Sequence, residues 1–195
     1  MKKFAQIVSI VFEPYTVSFV ALVLVTHQLP VSTEEKIGWF FAAVALGGLP
    51  ALAVYLYERK IGKIHDVFIT NRLERRDVQL AWFLGSGAFF LVALAFDAPR
   101  LLLALSLTLV VLSFLITLIS LYWKVSVHMV GVTLFVTLLL LCYSVSTFWL
   151  LILLPLVAWA RVRLGQHTLS QVTVATIMTI AVTYSVFYLF GLASF

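Results

Sequence analysis

The chain has 195 residues, of which 63% are apolar and 11% charged, with 13 Lys and Arg against 8 Asp and Glu and a formal net charge of +5. A soluble domain is about 45 to 50% apolar and about 25% charged, and a chain of this length has only one or two cores in which to hide its apolar side chains. The excess requires lipid as the main solvent, which excludes a disordered chain, a disulfide-stapled one and, despite the positive charge, a soluble nucleic-acid binder.

Taken in chain order, the first polar interruption is Glu13, ahead of Pro14. Proline is favoured at the first helical position, and Glu13 either faces a cation of a site or sits at the interface. Charge-free runs at 14–33, 37–57, 78–96 and 101–123 each match one crossing, because a hydrocarbon core of about 30 Å takes roughly 20 helical residues. The run at 125–160 would make a helix of about 54 Å, too long for one crossing. It must fold back, with Cys142–Thr147 as the turn, where small hydroxyl residues satisfy a turning backbone. The segment at 147–163 is predicted to be the shortest span, and 164–195 holds the last. Gly47-Gly48 and Gly85-Ser86-Gly87 fall inside spans and read as small-residue helix contacts rather than phosphate loops. No cleavable signal peptide is expected, since the first apolar run is long and is broken by Glu13-Pro14. The predicted architecture is an all-α, polytopic transmembrane helix bundle of about six to seven spans, forming a single integral membrane domain over 1–195.

One connection is plainly polar. Residues 58–77 join the second and third spans, and a loop of about twenty residues exceeds the usual connection length and is often functional. With alternating loops on alternating sides, eleven of the thirteen cations fall on one face and only Lys36 and Arg100 on the other. The positive-inside rule places the eleven-cation face in the cytoplasm. The same charges also suit binding to anionic lipid.

Three polar islands meet on that face: the long loop, Lys124–His128, and Arg161–Gln171. Ionisable groups at membrane depth are costly and point to function. Taken singly, His128 could be a hydrogen-bonded core histidine, and Arg161 could snorkel to the interface. As a set they suit a phosphate ester. Arginine offers planar bidentate donors and lysine a compact charge. One imidazole can attack phosphorus while a second protonates the leaving oxygen. His167 and Gln171 are four apart, so on one helix face the Gln171 amide oxygen could accept from the His167 ring and fix its tautomer.

The segment Arg161 to Gln171 resembles the third signature, SRxxxxxHxxxD, of the type-2 phosphatidic acid phosphatase and vanadium haloperoxidase superfamily. Ala160 stands for the serine and Gln171 for the aspartate, with Arg161 and His167 retained. Val125-Ser126-Val127-His128 is similar to the second signature, PSGH, with Ser126 and His128 retained. The resemblance spans about 60 to 171 and implies a phosphatase-like core over about 58–192. It makes His167 the nucleophile that forms a phosphohistidine, His128 the acid for the leaving group and Gln171 the orienting partner, with Ser126 and Arg161 binding phosphate. The first signature, KxxxxxxRP, would lie in the long loop. No lysine there precedes an arginine by seven positions, and Lys63, Arg72 and Arg76 are assigned to it, with Arg75 directed elsewhere.

Two departures bear on chemistry. Val125 and Val127 replace a proline and a glycine, which alters the backbone donors a glycine would expose. Gln171 replaces a carboxylate, and a neutral amide stabilises an imidazolium less than an anion does. The resemblance implies a membrane lipid-phosphate or lipid-diphosphate phosphatase, acting on an isoprenoid or phosphatidate type of lipid from the cytoplasmic face. The departures keep open a non-catalytic lipid-phosphate-binding relative, and a transferase or lyase using the same pocket. No cofactor is expected. No metal is expected either, since His65 and Asp66 have no second cluster at ligand spacing. The expected partner is a phosphate-bearing membrane lipid, not nucleic acid, with a homo-oligomer left open.

Overall fold

The computed structural model describes residues 1–65, 69, 71, 73–143 and 145–193, and all regular structure among them is helical. Tertiary contacts group the chain into two compact units, residues 1–28 with 124–195, and residues 29–123. The core expected at 58–192 draws on both.

In the first unit, α1 (Lys2–Val11) and α2 (Pro14–His27) are bent by 41°. Pro14 has no N–H to continue a helix and forces the residue before it into extended backbone. Glu13 adopts that conformation, and its carboxylate caps α2 by accepting from the Tyr15 and Thr16 N–H groups, both at 3.1 Å. This local duty is one the sequence reading of Glu13 did not include. Next in the unit come α7 (Val127–Tyr143), a 3-10 stretch (Val145–Ile152), α8 (Leu153–Arg163) and α9 (Leu169–Leu189). The long run at 125–160 therefore does fold back, and the break falls after Tyr143. α7 is the centre of the unit, packing on α2, α8 and α9, with Val136 and Leu139 against Leu150 and Leu24. The Tyr143 hydroxyl donates to the Leu24 carbonyl at 2.8 Å. α1 lies on α8, burying Ala5, Val8 and Ser9.

The second unit has three long helical segments. The first runs from Thr33 to Lys60 as α3 (Thr33–Ala42), a π-helical stretch (Ala43–Gly48) and α4 (Leu49–Lys60). A reciprocal capping box starts it, in which Ser32 accepts from the Glu35 N–H and Glu35 accepts from the Ser32 N–H. The π stretch has a cause in the sequence. Pro50 cannot donate to the Leu46 carbonyl four residues back, and its ring crowds that carbonyl, so the turn widens. α5 (Arg76–Ala95) and α6 (Arg100–Ser120) complete the unit. They are joined by a buried hydrogen bond from Gln79 Nε2 to Ser120 Oγ at 3.1 Å and by the Phe83 and Phe114 rings at 5.5 Å.

Only one of the expected small-residue contacts is close. A Cβ on Gly85 would lie 2.4 Å from the Leu46 carbonyl oxygen, whereas Gly47, Gly48 and Gly87 each have open space.

Among the described residues, five segments are long and apolar enough to cross a membrane, and a sixth if α1 and α2 form one bent span. The chain is an integral membrane protein. The expected first span at 14–33 stops at His27, because α2 has only 14 residues and α3 is capped anew at Ser32. Of the qualifying segments, Ser146–Arg163 is the shortest at 18 residues, as expected of 147–163, while α2 with 14 residues and α7 with 17 fall short of a crossing by themselves.

Candidate functional site

The first unit gathers Arg161, His167, Gln171, Ser126 and His128 by a sequence of local backbone devices. α8 ends in a Schellman turn, with Gly165 at φ +68. The Gly165 N–H bonds the Val162 carbonyl at 2.9 Å and the Gln166 N–H bonds the Arg161 carbonyl at 3.1 Å. The His167 N–H also reaches the Arg161 carbonyl, at 3.4 Å. The five residues between Arg161 and His167 are thus consumed in stopping one helix and returning the chain to the residue where it stopped. Nothing surrounds a Cβ at Gly165 within 4 Å, so its requirement is conformational alone. Gly165→Val is expected to destabilise the protein by about 1 to 2 kcal/mol and Gly165→Asn by less, because asparagine tolerates the left-handed region. Melting temperatures of the purified variants in detergent check this order.

Thr168 then caps α9. Its hydroxyl accepts from the Gln171 N–H at 3.3 Å, and Gln171 Oε1 accepts from the Thr168 N–H at 3.1 Å. The same oxygen lies 3.2 Å from His167 Nδ1. The pairing of His167 with Gln171 is present, but its basis differs from the one expected. His167 stands in the turn before α9, and the capping box, rather than a shared helix face, brings the amide to the ring. An amide oxygen can only accept, so this contact puts the proton on Nδ1 and leaves the lone pair on Nε2.

Lys124 Nζ donates to the Gln166 carbonyl at 2.7 Å, tying the approach to α7 onto this turn. Ser126 Oγ accepts from the Met129 N–H at 3.4 Å, which makes Ser126 the N-cap of α7 and leaves its hydroxyl hydrogen to donate. His128 follows in the first turn of that helix. The positive ends of α7 and α9 therefore lie at the same end of the unit as Arg161 and Lys124, an arrangement that favours an anion.

Burial is nearly complete. Arg161 is 1% exposed, Ser126 0%, His128 5% and His167 6%. Arg161 Nη1 donates to Ser9 Oγ at 3.3 Å, and Ser9 is itself fully buried. Lys124 was placed in the second polar island without a role, and Ser9 was not selected from the sequence. The trace of Ser9 there is its spacing from Ala5, two small residues four apart among larger ones on α1.

The second unit holds the rest. Lys63 donates to Glu58 and, at 2.5 Å, to Asp77 Oδ2. Asp77 first, then Glu58, holds the Lys63 ammonium above the ordinary lysine value of 10.5. Arg76 Nε lies 3.2 Å from Asp77 Oδ1. Two of the three loop cations assigned to phosphate, Lys63 and Arg76, are thus already matched by carboxylates. Arg75 is buried and donates to the Ile69 carbonyl at 2.5 Å. Arg72 and Asp66 lie outside the described residues. Among the described residues, no group of three His, Cys, Asp or Glu side chains is placed to hold a metal ion.

Comparison with known protein families, with characterised proteins and with solved structures found no match.

Proposed function

We propose that the protein is a membrane lipid-phosphate phosphatase whose centre is the end of the first unit around Arg161, His167 and His128. The observation that carries this reading is the burial of Arg161, at 1% exposure, in the same unit as two buried imidazoles, His128 and His167. The unit holds five cationic side chains and a single acidic one, Glu13, and Glu13 caps α2. A lipid phosphate would complement this positive balance.

In this reading, Arg161 and Ser126 bind the phosphate oxygens. His167 Nε2 attacks phosphorus, the P–O bond to the lipid breaks, and His128 donates its proton to the leaving oxygen. Water then cleaves the phosphohistidine, with His128 taking back a proton, and His167 and inorganic phosphate are released. Ser9 holds Arg161 from the α1 side, so α1 covers the centre and substrate entry displaces it. An isoprenoid or phosphatidate-type monoester or diphosphate is the substrate class. The deciding experiment is release of inorganic phosphate from such lipids by purified protein, blocked by vanadate. No release from any of them overturns the proposal.

A second reading is favoured by Gln171, whose capping contact with Thr168 accounts for it without catalysis. The protein would then bind a lipid phosphate without turnover. A transferase or lyase on the same pocket would show itself as a product other than free phosphate by mass spectrometry.

Sidedness has its own test. Ser170 is exposed just inside α9, and Cys142 is the sole cysteine. A Ser170→Cys variant in a Cys142→Ser background is expected to react with an impermeant thiol reagent in inverted vesicles and not in intact cells. Labelling of intact cells would place the centre on the outer face.

A further inference from the structure

Arg161 and Arg163 are two residues apart on α8, which turns them about 200° from each other. The first is 1% exposed and the second is exposed. Among the described residues, Arg163 has no carboxylate within ion-pair distance. It closes one end of an open apolar groove lined by Pro155, Ala158, Trp159, Val162 and Leu169. From Pro155 to Arg163 the groove follows α8 for about 12 Å, enough for the upper half of an acyl chain. The Phe4 ring lies 5.9 Å from that of Trp159, and Lys2 and Lys3, both exposed, immediately precede Phe4. The groove is apolar along its length and cationic at one end.

We infer that this groove is a binding site for an anionic glycerophospholipid of the surrounding bilayer, with one acyl chain along α8 and the headgroup phosphate on Arg163. Charge complementarity selects this occupant. The only acidic side chain of the unit is engaged at the start of α2, so nothing within the unit competes for Arg163. A guanidinium suits a phosphate diester through paired N–H donors. The site lies on the opposite face of α8 from Arg161 and does not depend on the phosphatase reading.

The test uses the full chain, purified in detergent and incubated with equal amounts of phosphatidylglycerol and phosphatidylcholine bearing the same acyl chains. Retained lipid is counted by native mass spectrometry. The wild type is expected to favour phosphatidylglycerol about fivefold, the ratio that one cation at a membrane surface confers. Arg163→Gln should bring the ratio near one, and Arg163→Lys should keep most of it. Val162→Trp, at a position exposed enough to accept the ring without disturbing the core, should lower retention of both lipids. His167→Ala should leave the ratio unchanged, so loss of phosphate chemistry and loss of the groove are read separately. An unchanged preference in Arg163→Gln overturns the inference, as does unchanged retention in Val162→Trp. A wild-type dimer without bound lipid that Val162→Trp dissociates would assign the groove to a second copy of the chain instead.

Discussion

On the proposed phosphatase reading, His167→Ala is expected to lower phosphate release by at least about 10³-fold, because loss of the proposed nucleophile removes the whole covalent route rather than one contact within it. The melting temperature should change little by comparison, since the ring meets the Gln171 amide and the His167 N–H that meets the Arg161 carbonyl survives in alanine. Gln171→Glu is the informative companion. It retains the length of the side chain and the capping box, which accepts Glu or Gln equally, and it sets an anion against Nδ1. An anion stabilises the imidazolium form by about one to three powers of ten, so turnover should rise by about tenfold or more. Gln171→Asp restores the residue type of the resembling signature but shortens the reach by one methylene. If the wild type is inactive and both acidic variants gain turnover, the protein is a binding relative disabled at this position. If none of the three releases phosphate, the phosphatase reading is lost.

The second large effect concerns stability. Gly85→Ala would bring a Cβ to 2.4 Å from the Leu46 carbonyl oxygen and 3.3 Å from Pro50 Cγ. Both neighbours belong to helical backbone or to a rigid ring, so neither side can yield locally and the helices must separate. Overpacking of this kind costs about 1 to 3 kcal/mol, more than the roughly 1 kcal/mol by which alanine improves helix propensity over glycine. Gly87→Ala, two residues on and with open space around it, should show the propensity gain alone. Thermal unfolding in detergent should therefore move in opposite directions for the two variants. A Gly85→Ala protein that melts no lower than the wild type would mean that α5 does not approach the π stretch so closely.

The contact also shows what Pro50 does at long range. By withholding an N–H from Leu46 it widens the turn, and the carbonyl so displaced is the one that meets Gly85. A carbonyl directed at a glycine Cα is the geometry of Cα–H···O contacts between packed helices. Proline and glycine thus act as a pair across two helices, although 35 positions separate them in the sequence.

Composition alone determined that this chain lives in lipid, and the spacing of its charges located most helical segments to within a few residues. Both rest on transfer of side chains between water and hydrocarbon, which is additive along the chain. Of the local devices, Pro14 after Glu13 was expected at a helix start; Ser32 with Glu35, Thr168 with Gln171 and Gly165 after α8 were not, although each is settled by bonds spanning six residues or fewer. Tertiary structure decided the rest. Arg161 turns inward and Arg163 outward, Ser9 meets Arg161 across 152 positions, Gly85 rather than its neighbours makes the close approach, and Lys63 is matched by Glu58 and Asp77. These depend on how each helix is rotated about its axis. A helix that is apolar on every side carries no stripe from which that rotation can be read, so only the packed neighbours fix it.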